Sequence, residues 1–270
     1  QGIVYAGISG YGAEGEWAHL PGQDLLAQAR SGIMWLTGNQ DHAPTPTGLA
    51  MADIYAGMTV VQGVLAALLG RASTGRGRQI ETSLLEGLVD VQFEQLTDYL
   101  NTGRQMARRS EIGNANAYAP APYGVFATKD GYLVIAMTAL DRLADLLETT
   151  VIQGLASDPR GPTRNRDAIM RILAERIAKE ATAHWLAILE PAGVWCAEVL
   201  DWPALLDSTQ GEVLDMLQSV KAADGAVIET TRLPMRIDGQ RPTCELAGPS
   251  LDAHGHSIRA ELGLESKAAE

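Results

Sequence analysis

Asp53 has an unusual chemical setting in this sequence. It lies in GLAMADIYAGMTVVQGVLAALLG, residues 48–70, which reads as one apolar helix with a single acid in its first turns. A carboxylate in apolar surroundings costs free energy unless something compensates for it. On a helical wheel its neighbours one to three turns on are Gly57, Val60 and Val64, and no basic side chain stands at i+3 or i+4. Two readings fit. An acid near a helix N-terminus is favoured by the macrodipole and solvated by the preceding loop. Equally, Gly57 leaves open space beside the carboxylate, where an acyl group could approach.

Other candidate constellations carry less. TGRGR, residues 74–78, could cradle a phosphate, but a lone Gly-Arg alternation is more often a turn with solvated arginines. GYGAEGEW fails the dinucleotide fingerprint, because no helix follows its glycines directly. The five histidines (19, 42, 184, 254 and 256) show no metal-binding helix spacing. No serine occupies a G-x-S-x-G elbow. With these nucleophile and metal signatures absent, an unpaired carboxylate gains weight as the reactive group, and no metal is expected.

The elements that must hold Asp53 come from the wider pattern. At 270 residues, 46% hydrophobic and 20% charged, the chain has the composition of a soluble globular protein with one large or two ordinary domains. No run is expected to reach the roughly 18 uninterrupted apolar residues of a membrane span. The two cysteines, Cys196 and Cys244, provide neither a disulfide framework nor a zinc cluster, which fits a reducing, cytoplasmic setting. A net charge of −12 argues against nucleic-acid and anionic-membrane partners while leaving a small anionic ligand open.

Along the chain, the apolar run Ile3–Ile8 predicts a strand buried on both faces in a parallel sheet, with its natural partners upstream of Gln1. A helix is predicted over 24–32, the Asp53 helix to about Leu69, a short strand after the 74–78 turn, and a long helix ending at Gly103. Residues 104–123 read as irregular. YGVFATKDGYLVIAM is then a hairpin about Asp130-Gly131, followed by helices around 139–155, 165–179 and 182–190. Strands near 225 and a helix at 252–263 complete the prediction.

Taken in order, the segments IVYAGISGYGAEGEWAHLPGQDLLAQARSGIMWLTG, PTGLAMADIYAGM, TGRGRQIETSLLEGLV, GNANAYAPAPYGVFATKDGYLVIAM, GVWCAEVLDWPALL and LAGPSLDAHGHSIRAELGL resemble the family III CoA-transferases, the formyl-CoA transferase-like CaiB/BaiF group. The resemblance runs over residues 3 to 264. It implies an α/β fold with an open Rossmann-like sheet domain, here partial, and a second, small α+β domain, in chains that form interlocked homodimers. The implied division is 1–105 for the large domain, 106–215 for the small domain and 216–270 for a return to the large one. It also implies that this chain lacks the N-terminal third of the family, which agrees with the expectation for Ile3–Ile8.

The family's catalytic aspartate falls in the segment that reads ADIYAGM here, which makes Asp53 the implied nucleophile. The implied reaction is acyl-CoA:carboxylate CoA transfer through an aspartyl anhydride and an aspartyl-CoA thioester. Gly57 would let the thioester approach, and the site would exclude water, which hydrolyses anhydrides. Pro21, Gly22, Gln23 and Asp24 are the implied CoA contacts, and Tyr118, Ala119 and Pro120 the acyl-side lid. Coenzyme A and acyl-CoA are expected as substrates, with no tightly bound cofactor.

Two departures narrow the reading. Gln23 stands where family members often carry an aromatic residue and where the related racemases carry a histidine that works with the aspartate as acid and base. Glutamine cannot shuttle a proton, which argues against 2-methylacyl-CoA racemisation, the alternative reading; a non-catalytic CoA-transferase fragment is another. GNANAYAPAP replaces the glycine run of formyl-CoA transferases with a stiffer loop, so formyl-CoA and oxalate are not assigned.

Overall fold

Tyr5–Ser9 (β1) pairs in parallel with Gln79–Ser83 (β2), Tyr5 opposite Gln79 and Ser9 opposite Ser83, in the computed structural model, which describes residues 2–222 and 224–264. Parallel neighbours need a crossover connection. Here it contains Asp24–Ser31 (α1), one 3-10 turn at Ile33–Trp35 and the 24-residue helix Met51–Thr74 (α2). α2 packs on both strands, and it approaches β2 at Gly63, where a Cβ would stand 2.7 Å from Ile80 Cγ2.

The expected strand at Ile3–Ile8 is therefore present as Tyr5–Ser9, paired along one edge among the described residues. Its partner is β2, downstream, and Tyr5 and Ile8 are 57% and 51% exposed. Two strands with a helix against them leave much of β1 open to solvent, so burial on both faces is not what these residues show.

Leu84–Val91 (α3) follows β2 directly. The Ser83 hydroxyl caps it by accepting the N–H of Glu86 at 3.1 Å. Ala52 and Ala56 of α2 meet Leu84 and Leu88 of α3 and Ala27 of α1 in a small buried cluster. Gly87 permits that approach, since a Cβ there would already touch the Tyr55 ring at 3.3 Å.

The single long helix expected up to Gly103 is two helices, α3 and Phe93–Asn101 (α4), broken at Gln92. The cause is local. The Gln92 side chain donates to Leu88 O at 2.6 Å, the carbonyl that its own N–H would take in an unbroken helix, and that N–H turns to Val89 O instead. The same amide also donates to Ser31 O at 3.2 Å, joining the break to the end of α1.

By length and mean hydropathy (1.5), α2 would pass as a membrane span, although Asp53, Gln62 and Arg71 interrupt its apolar run, in line with the sequence expectation. Its packing on β1, β2, α1 and α3 places it instead in the helical layer of an α/β unit. One stripe of it, Ile54, Met58, Val61 and Leu65, is exposed.

Residues 104–123 contain no helix or strand, as expected, yet they are firmly bonded. The buried guanidinium of Arg109 donates to Thr37 O at 2.6 Å and to His42 O at 2.5 Å. Asn114 donates its N–H to Asn39 Oδ1 at 3.0 Å and its amide to Leu36 O at 3.2 Å. The irregular stretch is thus stitched onto the loop after α1.

Gly124–Ala127 (β3) and Tyr132–Ala136 (β4) form the expected hairpin, and Trp195–Glu198, a strand not foreseen in the sequence (β5), adds to β4 antiparallel. Leu140–Leu146 (α5), Thr150–Ala156 (α6), Gly161–Arg164 (α7), Arg166–Ile177 (α8) and Thr182–Leu189 (α9) lie between β4 and β5 in sequence. The helix expected around 139–155 is α5 and α6, because Glu148 adopts φ 54° and ends the first. Phe126, Leu133 and Ile135 of the sheet and Leu173, Ile177 and Trp185 of the helices are fully buried together. Trp185 satisfies its indole N–H at Ile177 O, 2.8 Å away.

The chain divides into two compact units, Gln1–Val199 and Leu200–Glu270. The second contains Trp202–Leu206 (α10), Thr209–Leu214 (α11), the antiparallel pair Leu217–Lys221 (β6) and Val227–Thr231 (β7), and Gly255–Glu261 (α12). Asp201 and Ser208 cap α10 and α11 through Ala204 N and Gly211 N. The outer end of the expected return segment, residues 265–270, lies outside the described residues.

Candidate active site

Asp53 sits in the first turn of α2. Ala52 and Ala56 occupy the buried face of that turn, which places Asp53 on the solvent side. The water-excluding surroundings expected for its carboxylate are not provided by this chain alone. At Gly57, one turn on, a Cβ would meet nothing within 4 Å, so the space beside that position is open. Tyr55, also on α2, donates its hydroxyl to Asp90 Oδ2 of α3 at 2.5 Å. That hydrogen bond to a carboxylate pushes the Tyr55 hydroxyl pKa up, because it favours the protonated phenol.

Pro21, Gly22, Gln23 and Asp24 lead into α1, and their side chains have different surroundings. Pro21, Gly22 and Gln23 are exposed. Gln23 is the N-cap of α1 and accepts the N–H of Leu25 through Oε1 at 3.2 Å. The Asp24 carboxylate turns inward. Its Oδ1 accepts the N–H of Ala52 at 2.7 Å and its Oδ2 accepts Gln28 Nε2 at 2.7 Å. Asp24 is thereby joined to the residue immediately before Asp53, across 28 positions of sequence.

Gly10 and Gly22 close the loop between β1 and α1. A Cβ on Gly10 would stand 2.5 Å from Gly22 Cα, so the two backbones meet where no side chain fits. Within that loop, the rings of Tyr11 and Trp17 lie 4.6 and 4.8 Å from the Arg30 guanidinium carbon, fastening the loop to the last turn of α1.

Tyr118, Ala119 and Pro120 lie in the irregular segment, ahead of a cis Ala121–Pro122 bond. Asn116 orders them, its side chain accepting from Tyr118 N at 2.9 Å and its carbonyl from Ala119 N at 3.2 Å. Tyr118 lines a cavity of about 260 Å³ together with Gly32, Gln92, Tyr99 and Met106. That cavity abuts the C-terminal end of α1, whereas Asp24 and Ala52 meet at its N-terminal end. The length of α1 therefore separates the Tyr118 segment from the turn that carries Asp53.

Gln28 escaped the sequence reading. It is 1% exposed and holds the chain entering α2, accepting Thr47 N–H through Oε1 at 3.0 Å and donating to Leu49 O at 2.9 Å. The available signal was the Asp24–Gln28 spacing of four on a helix, which puts both side chains on one face. Among the described residues no group of three His, Cys, Asp or Glu side chains could hold a metal ion.

The profile of CoA-transferase family III matches residues 1–255. The acetyl-CoA:oxalate CoA-transferase of Acetobacter aceti is 33% identical over 267 residues, which is 96% of this chain and 66% of that protein. The succinyl-CoA:glutarate CoA-transferase of Mus musculus is 34% identical over 197 residues, 71% of this chain and 44% of its own length. The chain thus spans about two thirds of the first relative and less than half of the second. Among solved structures, a CaiB/BaiF family protein from Brucella suis superposes with a TM-score of 0.77 at 31% identity, over 97% of this chain and 68% of that one. The chain belongs to CoA-transferase family III.

Proposed function

We propose that the protein is an acyl-CoA:carboxylate CoA-transferase with Asp53 as its nucleophile. The observation that carries this reading is the presentation of Asp53 in the first turn of α2, on the solvent side, with unfilled space at Gly57 one turn on. The names of its relatives, which specify CoA transfer to oxalate and glutarate, support the reaction class.

In this mechanism an Asp53 oxygen attacks the thioester carbonyl of the donor, and the C–S bond breaks to release CoA thiolate and leave a mixed anhydride. The thiolate then attacks the aspartyl carbonyl, releasing the donor acid and forming an aspartyl-CoA thioester. The acceptor carboxylate attacks that thioester, giving a second anhydride and thiolate again. Attack of the thiolate on the acceptor's acyl carbon yields the new acyl-CoA and frees Asp53. Each step exchanges one acyl leaving group for another and needs no proton shuttle. Gln23, which can neither give nor take a proton at the α-carbon, suits this reaction and not racemisation. CoA and acyl-CoA act as substrates in this proposal, and the working enzyme is a homodimer.

The test is a panel of acyl-CoA donors and free acids, beginning with dicarboxylic acids, incubated with the full-length native protein and read by mass spectrometry. Hydroxylamine added with the productive donor is expected to modify Asp53, and Asp53→Ala to abolish transfer with an unchanged melting profile. Turnover by the alanine variant would refute the assignment.

A further inference from the structure

We infer that Asp24 and Gln28 are positioning residues for Asp53: from α1 they supply the cap that α2 lacks. The inference rests on the reading of Asp53 as nucleophile.

The N-cap residue of α2 is Ala50, which has no side-chain acceptor for the orphan N–H groups of the first turn. The missing acceptor comes from another helix, since Asp24 Oδ1 takes the Ala52 N–H at 2.7 Å. Asp24 is 8% exposed, and a carboxylate that buried requires compensation. It has two sources here, the N-terminus of α2 with its positive dipole end and the Gln28 amide at 2.7 Å.

Gln28 completes the grip. Its Nε2 is shared between Asp24 and Leu49 O, while its Oε1 takes Thr47 N–H. Together the two side chains hold residues 47, 49 and 52, the stretch of chain that delivers residue 53. A helix end without such partners frays. Asp53 stands in the fraying turn, and a shift of about 1 Å in a reacting group can cost on the order of 100-fold in rate. The rest of α2 is held independently by α3 and the two strands, so loosening the cap displaces the nucleophile without unfolding the helix.

The experiment compares wild type, Asp24→Ala, Asp24→Asn, Gln28→Leu and Asp53→Ala in the full-length native protein. Its readouts are kcat, KM for the acyl-CoA, the melting profile and hydrogen exchange of the 47–56 peptide. For Asp24→Ala, kcat is expected to fall about 10–100-fold with KM changed less than about threefold, while exchange at the start of α2 speeds up. Gln28→Leu should show the same pattern more weakly. Asp24→Asn keeps an oxygen for Ala52 N–H but sets its NH2 against Gln28 Nε2, so kcat should lie between wild type and Asp24→Ala; because it preserves shape, this partial fall also serves if the alanine variant fails to fold.

Unchanged kcat in Asp24→Ala beside an inactive Asp53→Ala would overturn this inference and leave the nucleophile in place. A rise confined to KM would also overturn it, since it would make Asp24 a ligand contact. An active Asp53→Ala would instead refute the function on which the inference rests.

Discussion

Asp130, in the turn between β3 and β4, caps α9 through Thr182: its Oδ1 accepts the Thr182 N–H at 2.8 Å and the Thr182 hydroxyl at 3.0 Å. Ala181, the N-cap of that helix, has no side chain able to do this. The Thr182 N–H, then its hydroxyl, hold the Asp130 carboxyl below the usual carboxylate range. A depressed folded-state pKa contributes stability that is fully present above the unfolded value, about 3.9, and is lost as pH falls through the folded one. Asp130→Asn is expected to lower the melting midpoint by a few degrees at neutral pH. The gap between variant and wild type should close as the pH is taken below about 4, and thermal melts from pH 7 to 2.5 check it.

Gly57→Ala separates stability from activity. The position is helical and a methyl group there meets nothing within 4 Å, so the substitution should stabilise α2 by about 0.5–1 kcal/mol. If an acyl group uses that space, kcat/KM for acyl-CoA should fall while the melting midpoint rises. A variant that is both more stable and fully active would show that the space is not used.

Gly22→Ala should behave in the opposite way. Its methyl group would press on the Gly10 backbone, which has no flexible end to yield, at a cost of about 1–3 kcal/mol. Urea unfolding of Gly22→Ala and Gly10→Ala is expected to show similar losses, because each adds the same obstruction from the opposite side.

Arg109 should tolerate neither a neutral nor a lysine replacement. Removing its guanidinium leaves the carbonyls of Thr37 and His42 without their donors, which should cost roughly 2 kcal/mol for Arg109→Met. Arg109→Lys should recover only part, since one ammonium group cannot reproduce a planar fork. The segment carrying Tyr118 would loosen in both, and faster hydrogen exchange across 107–120 is the expected signature.

What could be read in advance was what short-range chemistry determines. Asp130-Gly131 announces its hairpin because few other sequences turn so tightly, and Asp53 stands out because the residues around it are apolar. The break at Gln92 was hidden, since a glutamine in a helix is ordinary until its amide finds Leu88 O and Ser31 O. The division of the 139–155 stretch depended on a left-handed glutamate, Glu148, which no glycine marked. For Asp24 the family resemblance implies a CoA contact, whereas its engagement with Ala52 is a tertiary fact, and no periodicity encodes it. The same limit concealed β5, whose four residues become a strand only where β4 offers an edge.

The meeting of Gly10 with Gly22 has a further consequence for how such a chain can change over generations. Because the neck of the loop is closed by backbone against backbone, the ends of β1 and α1 are held together without a side chain at the contact. Changes at the exposed tip, Ala13, Glu14 and Glu16, can therefore be made far from the register of β1 with β2 and the entry into α1. The tip of the loop can thus diversify while Tyr11 and Trp17 keep its base on Arg30 and the helix carrying Asp53 keeps its place.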